Sequence, residues 1–356
     1  MTDSTHISLQ DIAKRMHVTP RTVARILSGD YVPTQPKAVK RAQRIRQLAT
    51  EMGYRTNASA RAMRTGRFGT VSLILPRSAE LGLLPGGMLT GIDDRLGQKD
   101  IHLTICHTDL ATQQQDDPTP HHKVIQQSLV DGHMIDILDH PPAAQFQLPP
   151  NVPNIWLRGK RDYDCIYTDE RKAGYDATRH LLELGHRKIV AAYGQYCSEE
   201  AAFDRLEGFK DAMREAGLTP RELVMPDTSA EVTEAEYRAQ PWVTTCISQT
   251  ESRMPFLKQW LATDEQPDAV LGLWFNDALS VQAAALHSGM SIPNELAIVS
   301  FHDRLLNAGF PITTFNVSMT SFGRIAAEMM LEKIENPDRP LAPVVRRYDL
   351  MPGMTT

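Results

Sequence analysis

Arg21, Thr22 and Arg25 stand just behind a Thr19-Pro20 pair, and the two arginines carry the chemistry of base-edge recognition. The planar guanidinium fork pairs bidentately with O6 and N7 of guanine. No reactive constellation appears elsewhere. Gly86-Gly87 lacks the Lys-Ser/Thr that would follow in a phosphate loop, and no GxSxG, HExxH or triad spacing stands out. His121-His122 follows Asp116-Asp117-Pro118 in a polar stretch, where the alternatives are a metal site and a solvated loop. His186 falls in a helix-to-strand turn, a structural place for a histidine. Cys106, Cys165, Cys197 and Cys246 are scattered, so buried free thiols are expected, with neither a disulfide framework nor a zinc site. The sequence predicts no catalytic residues, metal or cofactor, and no enzyme.

Short helices must position the arginines. Ser8-Leu9-Gln10-Asp11 has capping-box form, with Asp in place of Glu or Gln. Leu9, Ile12, Ala13 and Met16 then recur at helical spacing. His17-Val18 makes a turn, Thr19 is an N-cap, and Pro20 takes the first helical position, where its missing N–H is harmless. Val23, Ile26 and Leu27 form the buried stripe of this second helix, Arg21, Thr22 and Arg25 lie off it, and Gly29 ends it. Two such helices joined by a tight turn predict a helix-turn-helix, with the second entering a major groove. A third helix, roughly 36–52, is closed by Gly53. Its Lys40, Arg41, Arg44 and Arg46 form either a basic contact surface or a solvated face.

Charge agrees with this reading. The first 70 residues carry thirteen basic and four acidic side chains, a net of +9; the remainder carries twenty-five against thirty-nine, a net of −14. A basic head on an acidic body is the footprint of a nucleic-acid module attached to something else. The N-terminus is polar and no apolar run approaches 18 residues, so a cytoplasmic protein with no membrane partner is expected.

The run LQDIAKRMHVTPRTVARILSG (9–29) resembles the headpiece of the LacI/GalR family of bacterial regulators, and MGYRTNASARAMRTG (52–66) resembles that family's hinge helix. The resemblance implies that the hinge folds on the operator and wedges an apolar side chain into the minor groove. Met63 takes the wedge position, usually leucine, with Ala60 and Arg61 just before it and Asn57 among the implied DNA contacts. The segment from Gly29 to the third helix, with Pro33 and Pro36, is about four residues longer than the family's usual one.

From Thr70 onward strands and helices alternate. Strands are predicted at 70–75, 101–106, 134–138, 152–157, 188–193, 269–273 and 296–301, and helices at 85–96, 121–130, 171–184, 200–216, 252–262, 277–288 and 321–334. Repeated βαβ units imply doubly wound parallel sheets in two similar lobes, with ligands at the strands' carboxyl ends. LLELGHRKI (181–189), RLEGF (205–209), EAG (215–217), PDAV (267–270), ND (276–277) and TT (313–314) are similar to family segments too. The implied fold is an N-terminal all-α helix-turn-helix headpiece (1–53), a hinge (54–69) and an α/β effector domain (70–356) like that of periplasmic sugar-binding proteins. The implied N-lobe covers about 70–166 and 318–343, and the C-lobe about 167–317 and 344–356, joined by three crossovers.

The resemblance also implies effector contacts at Arg205, Asn276 and Asp303. His302 replaces the first acid of the family's Gly-Phe-Asp-Asp, and Arg158 stands where some members carry an acid. Trp156, Trp274 and Phe275 offer a stacking wall, and residues 81–88 would close one side. The exchanges at Arg158 and His302 suggest an anionic effector, a sugar acid or sugar phosphate, in place of a neutral sugar. The alternative is that Arg158 pairs internally with an acid and His302 bonds backbone. A homodimeric repressor on pseudo-palindromic double-stranded operator DNA is the implied function. A solute-binding protein sharing the body fold is the rival.

Overall fold

The computed structural model describes residues 7–27, 31, 33–54, 66–76, 86–108, 129–136, 151–194, 200–226, 242–263, 266–301 and 311–356. It divides into two compact units, Met1–Gly69 and Thr70–Thr356.

The first unit contains helices α1 (Leu9–Met16), α2 (Pro20–Leu27) and α3 (Pro36–Glu51). Both halves of the capping box form at α1: Ser8 N donates to Asp11 Oδ2 at 2.9 Å and Asp11 N to Ser8 Oγ at 3.4 Å. Ser8 Oγ also donates to Asp11 Oδ2 at 2.6 Å, and this bond, with that from Ser8 N, holds the Asp11 carboxyl below its ordinary pKa. His17 leaves α1 in the left-handed region, at φ 51°, and so turns the chain toward α2. Gly53, at φ 68°, ends α3 in the same way. Ile12, Ala13, Val23, Ile26, Ala42, Ile45 and Ala49 form the core that fixes the three helices. Gly29 lies outside the described residues.

The second unit has two six-stranded sheets. Its strands are β1 (Thr70–Pro76), β2 (His102–Thr108), β3 (Gly132–Ile135), β4 (Asn154–Leu157), β5 (Cys165–Thr168), β6 (Ile189–Gly194), β7 (Arg221–Met225), β8 (Ala269–Gly272), β9 (Ala297–Phe301), β10 (Thr313–Asn316), β11 (Val344–Arg346) and β12 (Asp349–Met351). Its helices are α4 (Gly86–Gly97), α5 (Glu170–Glu183), α6 (Glu200–Glu215), α7 (Trp242–Leu261), α8 (Phe275–His287) and α9 (Met319–Glu335). The sheet orders are β11-β5-β4-β3-β1-β2 and β12-β10-β9-β8-β6-β7. The β10–β12 pair is antiparallel and the other pairs are parallel. Each sheet is one lobe.

Three short crossovers join the lobes: Asp169 between β5 and α5, residues 317–318 between β10 and α9, and residues 347–348 between β11 and β12. The first lobe therefore differs from the division expected from sequence. β5 stays in the first sheet through Thr168, and β11 (Val344–Arg346) belongs there as well. Both strands are short and carry no clear period-2 pattern, so the sequence does not mark where the chain changes sheets. The expected helix at 121–130 lies outside the described residues except for Leu129 and Val130, which are not helical.

The same packing device occurs in both lobes. In the first, α4 and α9 cross at Gly91 and Gly323, where an added Cβ would collide with the backbone carbonyls of Thr320 and Met88. In the second, α5 and α6 cross at Gly174 and Gly208, against the carbonyls of Arg205 and Arg171. Glycine lets each helix pair approach to backbone contact and seals one face of its sheet. Leu73, Met134, Ile155, Phe322 and Met330 fill the first lobe's core, and Leu181, Phe209, Leu271 and Val299 the second's.

Candidate nucleic-acid interface and effector residues

Val23 and Ile26 point into the headpiece core, which leaves Thr19, Pro20, Arg21 and Arg25 exposed. Arg21 and Arg25 are one helical turn apart and share a face of α2. Thr19 caps the helix: its Oγ1 accepts from Thr22 N at 3.2 Å and lies 2.9 Å from Thr22 Oγ1. Thr22 is thereby tied to the cap, and the arginines provide the reach. Arg25 lies with its guanidinium carbon 4.8 Å from the ring centre of Tyr31. Asn57, Ala60, Arg61 and Met63 lie outside the described residues, as do His302, Asp303 and His121-His122.

At the carboxyl ends of the first sheet, Arg158 follows β4 at φ 62° and turns toward Asp136, which follows β3. Its Nε donates to Asp136 Oδ1 at 2.8 Å and its Nη2 to Asp136 Oδ2 at 2.9 Å. The Asp136 side chain has no exposed surface, and that of Arg158 keeps 21%. Of the two readings open at Arg158, this is the internal ion pair. The positive charge expected there is compensated, so the case for an anionic effector loses one of its two supports. Trp156 does not stand as a bare wall, since the Arg161 guanidinium lies 4.3 Å over its ring.

At the carboxyl ends of the second sheet, Arg205 is 4% exposed. Its Nε donates to Glu170 Oε2 at 2.7 Å, its Nη1 to Leu273 O at 2.7 Å and its Nη2 to Tyr348 Oη at 3.1 Å. Trp274 and Phe301 lie 4.4 and 4.5 Å from its guanidinium carbon. Tyr348 Oη in turn donates to Glu170 Oε1 at 2.9 Å, which also accepts from Thr168 Oγ1. Burial pulls the Arg205 pKa down, but the Glu170 charge outweighs it and the guanidinium stays ionised. Burial and the same carboxylate push the Tyr348 phenol up, so it remains a donor. Arg205 thus sits at a junction of the first and third crossovers with the edge of the second sheet.

Trp274 and Asn276 stand at the start of α8. Asp277 Oδ2 accepts from Trp274 N at 3.0 Å, and its Oδ1 pairs with Arg253 at 3.0 Å, both side chains being 1% exposed. That buried pair fixes the helix start. Asn276 is half-buried, and its carbonyl accepts from Ser280 Oγ at 2.8 Å.

Sequence reasoning missed Asp136, Glu170, Arg253 and Tyr348. Each is one half of a pair distant in sequence, and only the tertiary packing reveals the partner. Of the four cysteines, Cys106 and Cys165 are buried free thiols. Among the described residues no cluster of His, Cys, Asp and Glu could hold a metal ion, and no helix is long and apolar enough to cross a membrane.

The model of a periplasmic binding protein-like domain matches residues 178–356. The chain is 24% identical over 339 residues to the HTH-type transcriptional repressor PurR of Aliivibrio salmonicida (strain LFI1238), covering 92% of each. It is 25% identical over 319 residues to the HTH-type transcriptional regulator DegA of Bacillus subtilis (strain 168), covering 86% of this chain and 85% of DegA. Its fold is similar to that of the Lac repressor dimer bound to operator and the anti-inducer ONPF, with a TM-score of 0.72 at 17% identity, over 98% of this chain and 99% of the other. It also resembles the regulator CelR in complex with cellobiose, at a TM-score of 0.60 and 20% identity over 98% and 100%. A helix-turn-helix ahead of two crossover-linked parallel lobes, with the domain match and these near full-length relatives, places the chain in the LacI/GalR family of transcriptional regulators.

Proposed function

We propose that the protein is a transcriptional repressor that binds a pseudo-palindromic DNA operator as a homodimer and is controlled by a small-molecule effector held between the lobes. The observation that carries this reading is the exposed Arg21–Arg25 face of α2, set on a three-helix core within a segment of net charge +9. Two such helices related by two-fold symmetry would read half-sites about one DNA turn apart. Segment 54–69 would act as the hinge, with Met63 as its minor-groove wedge and Asn57, Ala60 and Arg61 beside it. The named relatives are repressors and regulators, which supports DNA binding over solute binding. A cytoplasmic location follows from that role.

The effector is a polar small molecule of the sugar class, contacting the carboxyl-edge groups Arg158, Arg205, Trp274 and Asn276 with His302 and Asp303. Calorimetry against neutral sugars and their acid or phosphate counterparts separates the two charge classes. Because Asp136 already neutralises Arg158, selectivity for the acid depends on His302.

Selection of binding sites from a random duplex library, followed by affinity measurement across salt concentrations, tests the function. The expected result is a two-fold-symmetric motif and a steep fall of affinity with salt. Met63→Gly is expected to weaken that motif's binding and leave effector binding intact. Failure to enrich any motif would remove the proposal.

A further inference from the structure

Tyr31 follows α2 on the way to α3, with its ring half-buried against the headpiece core. Arg25 occupies the last turn of α2 and is exposed, with its guanidinium 4.8 Å from the Tyr31 ring centre. Stacking uses the flat face of a guanidinium, whereas its N–H groups radiate in the plane. An arginine held against a ring in this way loses part of the freedom of its head group. The ring itself packs against the headpiece core, so the 4.8 Å contact ties the Arg25 head group to the packed interior. Bidentate pairing with a guanine needs the fork near the plane of the base, and a head group already restrained by a ring loses less freedom on binding.

We infer that Tyr31 is a specificity-determining positioning residue of the DNA interface, whose core-anchored ring restrains Arg25 where it meets a base edge. The inference rests on the DNA-binding reading above. The two helices of the motif, α1 and α2, both end before residue 28, so Tyr31 belongs to neither. Tyr31 adds a platform from outside the two-helix motif, and its effect is confined to the one base pair that Arg25 reads.

The test uses the full-length chain and a library of duplex DNA with a randomised central stretch. Wild type, Tyr31→Phe, Tyr31→Leu and Arg25→Ala are each put through the same selection, and their melting temperatures are measured. Tyr31→Phe keeps the ring, and Tyr31→Leu keeps apolar packing without a π face. Wild type and Tyr31→Phe are expected to share one motif. Arg25→Ala flattens one base pair of each half-site, and Tyr31→Leu reduces discrimination at that same base pair by roughly two- to fivefold. Tyr31→Leu is also expected to retain the melting temperature and the salt dependence of wild type.

The inference is overturned if Tyr31→Leu keeps full discrimination there, or if it weakens every position alike together with melting. It is also overturned if Arg25→Ala lowers affinity without changing preference at any position, since Arg25 would then hold a phosphate. A wild-type chain that enriches no motif is a different outcome, one that takes down the DNA-binding reading and this inference with it.

Discussion

His133 stands in β3 with no exposed surface, its Nδ1 2.6 Å from Ser72 Oγ on β1 and its Nε2 without a hydrogen-bond partner. Burial lowers its pKa from 6.5 to about 4. In the unfolded chain the imidazole titrates near its ordinary value, so below that pH the unfolded state binds a proton that the folded state refuses. The stability tied to a neutral His133 is therefore complete above about pH 6.5, falls as the pH drops toward about 4, and changes no further below it. The gap between those two values corresponds to about 3 kcal/mol, a large share of the roughly 5–15 kcal/mol that stabilises a typical domain. Glutamine at position 133 offers Ser72 a polar partner and does not titrate. Urea denaturation of wild type and His133→Gln at pH 7, 6, 5 and 4 isolates the effect, because the other titrations cancel in the difference. Tryptophan fluorescence reports the right unit, since Trp156, Trp242, Trp260 and Trp274 all lie beyond Thr70. The expected result is a wild-type stability that falls by about 3 kcal/mol relative to the variant between pH 7 and 4, whatever the constant offset between them. A difference that stays flat with pH would refute the assignment of an inaccessible neutral imidazole to the first lobe's interior.

Gly208→Ala should destabilise the second lobe at or above the ~3 kcal/mol end of the over-packing range, because the new methyl meets the Arg171 carbonyl on a facing helix; thermal unfolding checks it, and a shift below 1 °C would contradict the close crossing. Arg158→Met should cost about 3–5 kcal/mol by stranding the fully buried Asp136 carboxylate, whereas Asp136→Asn costs less, since Arg158 retains 21% exposure and can turn to water; chemical denaturation that ranks the two variants the other way would show that Arg158 is the more confined partner. Tyr348→Phe removes the hydroxyl bonded to both Glu170 and Arg205 and should cost about 1.5–3 kcal/mol, read in the same assay.

What the sequence makes legible is set by range. The Ser8–Asp11 box, Thr19-Pro20 and Gly53 are local signals, and α1 and α2 start and α3 stops where those signals put them. β7 shows the limit. Its residues, Arg-Glu-Leu-Val-Met at 221–225, are mostly helix formers, and only pairing with β6 makes them a strand. β11 and β12 are three residues long, too short for an alternation to register. α7 begins ten residues before the expected Ser252 because its first turns, rich in Thr, Val and Cys, carry neither a cap nor strong helix formers. The site was half legible for a related reason. Family-matched positions identify Arg158 and Arg205, but their partners Asp136 and Glu170 lie 22 and 35 residues away. No spacing rule connects such pairs, and they decide whether an arginine presents a net charge or a compensated one.

Where movement can occur is constrained by the same pairs. Each lobe is closed by a helix pair in backbone contact, which leaves little room for deformation inside a lobe. The connections between lobes are, by contrast, one or two residues each. A change of lobe orientation must therefore be absorbed at Asp169, residues 317–318 and residues 347–348. Two of these are tied to one another: Asp169 N donates to Arg346 O at 3.0 Å, and Tyr348 Oη reaches Glu170, the first residue of α5. Tyr348 also packs against both lobe cores. Rotation about these crossovers has to carry or break the Glu170–Arg205–Tyr348 bonds, and Arg205 is held by the Leu273 carbonyl at the sheet edge beside Trp274. Any ligand that redirected the Arg205 guanidinium would act on two crossovers at once. Such a ligand shifts the lobe equilibrium only by the difference in its affinity for the two arrangements, so its leverage is set by how much better one arrangement presents that edge.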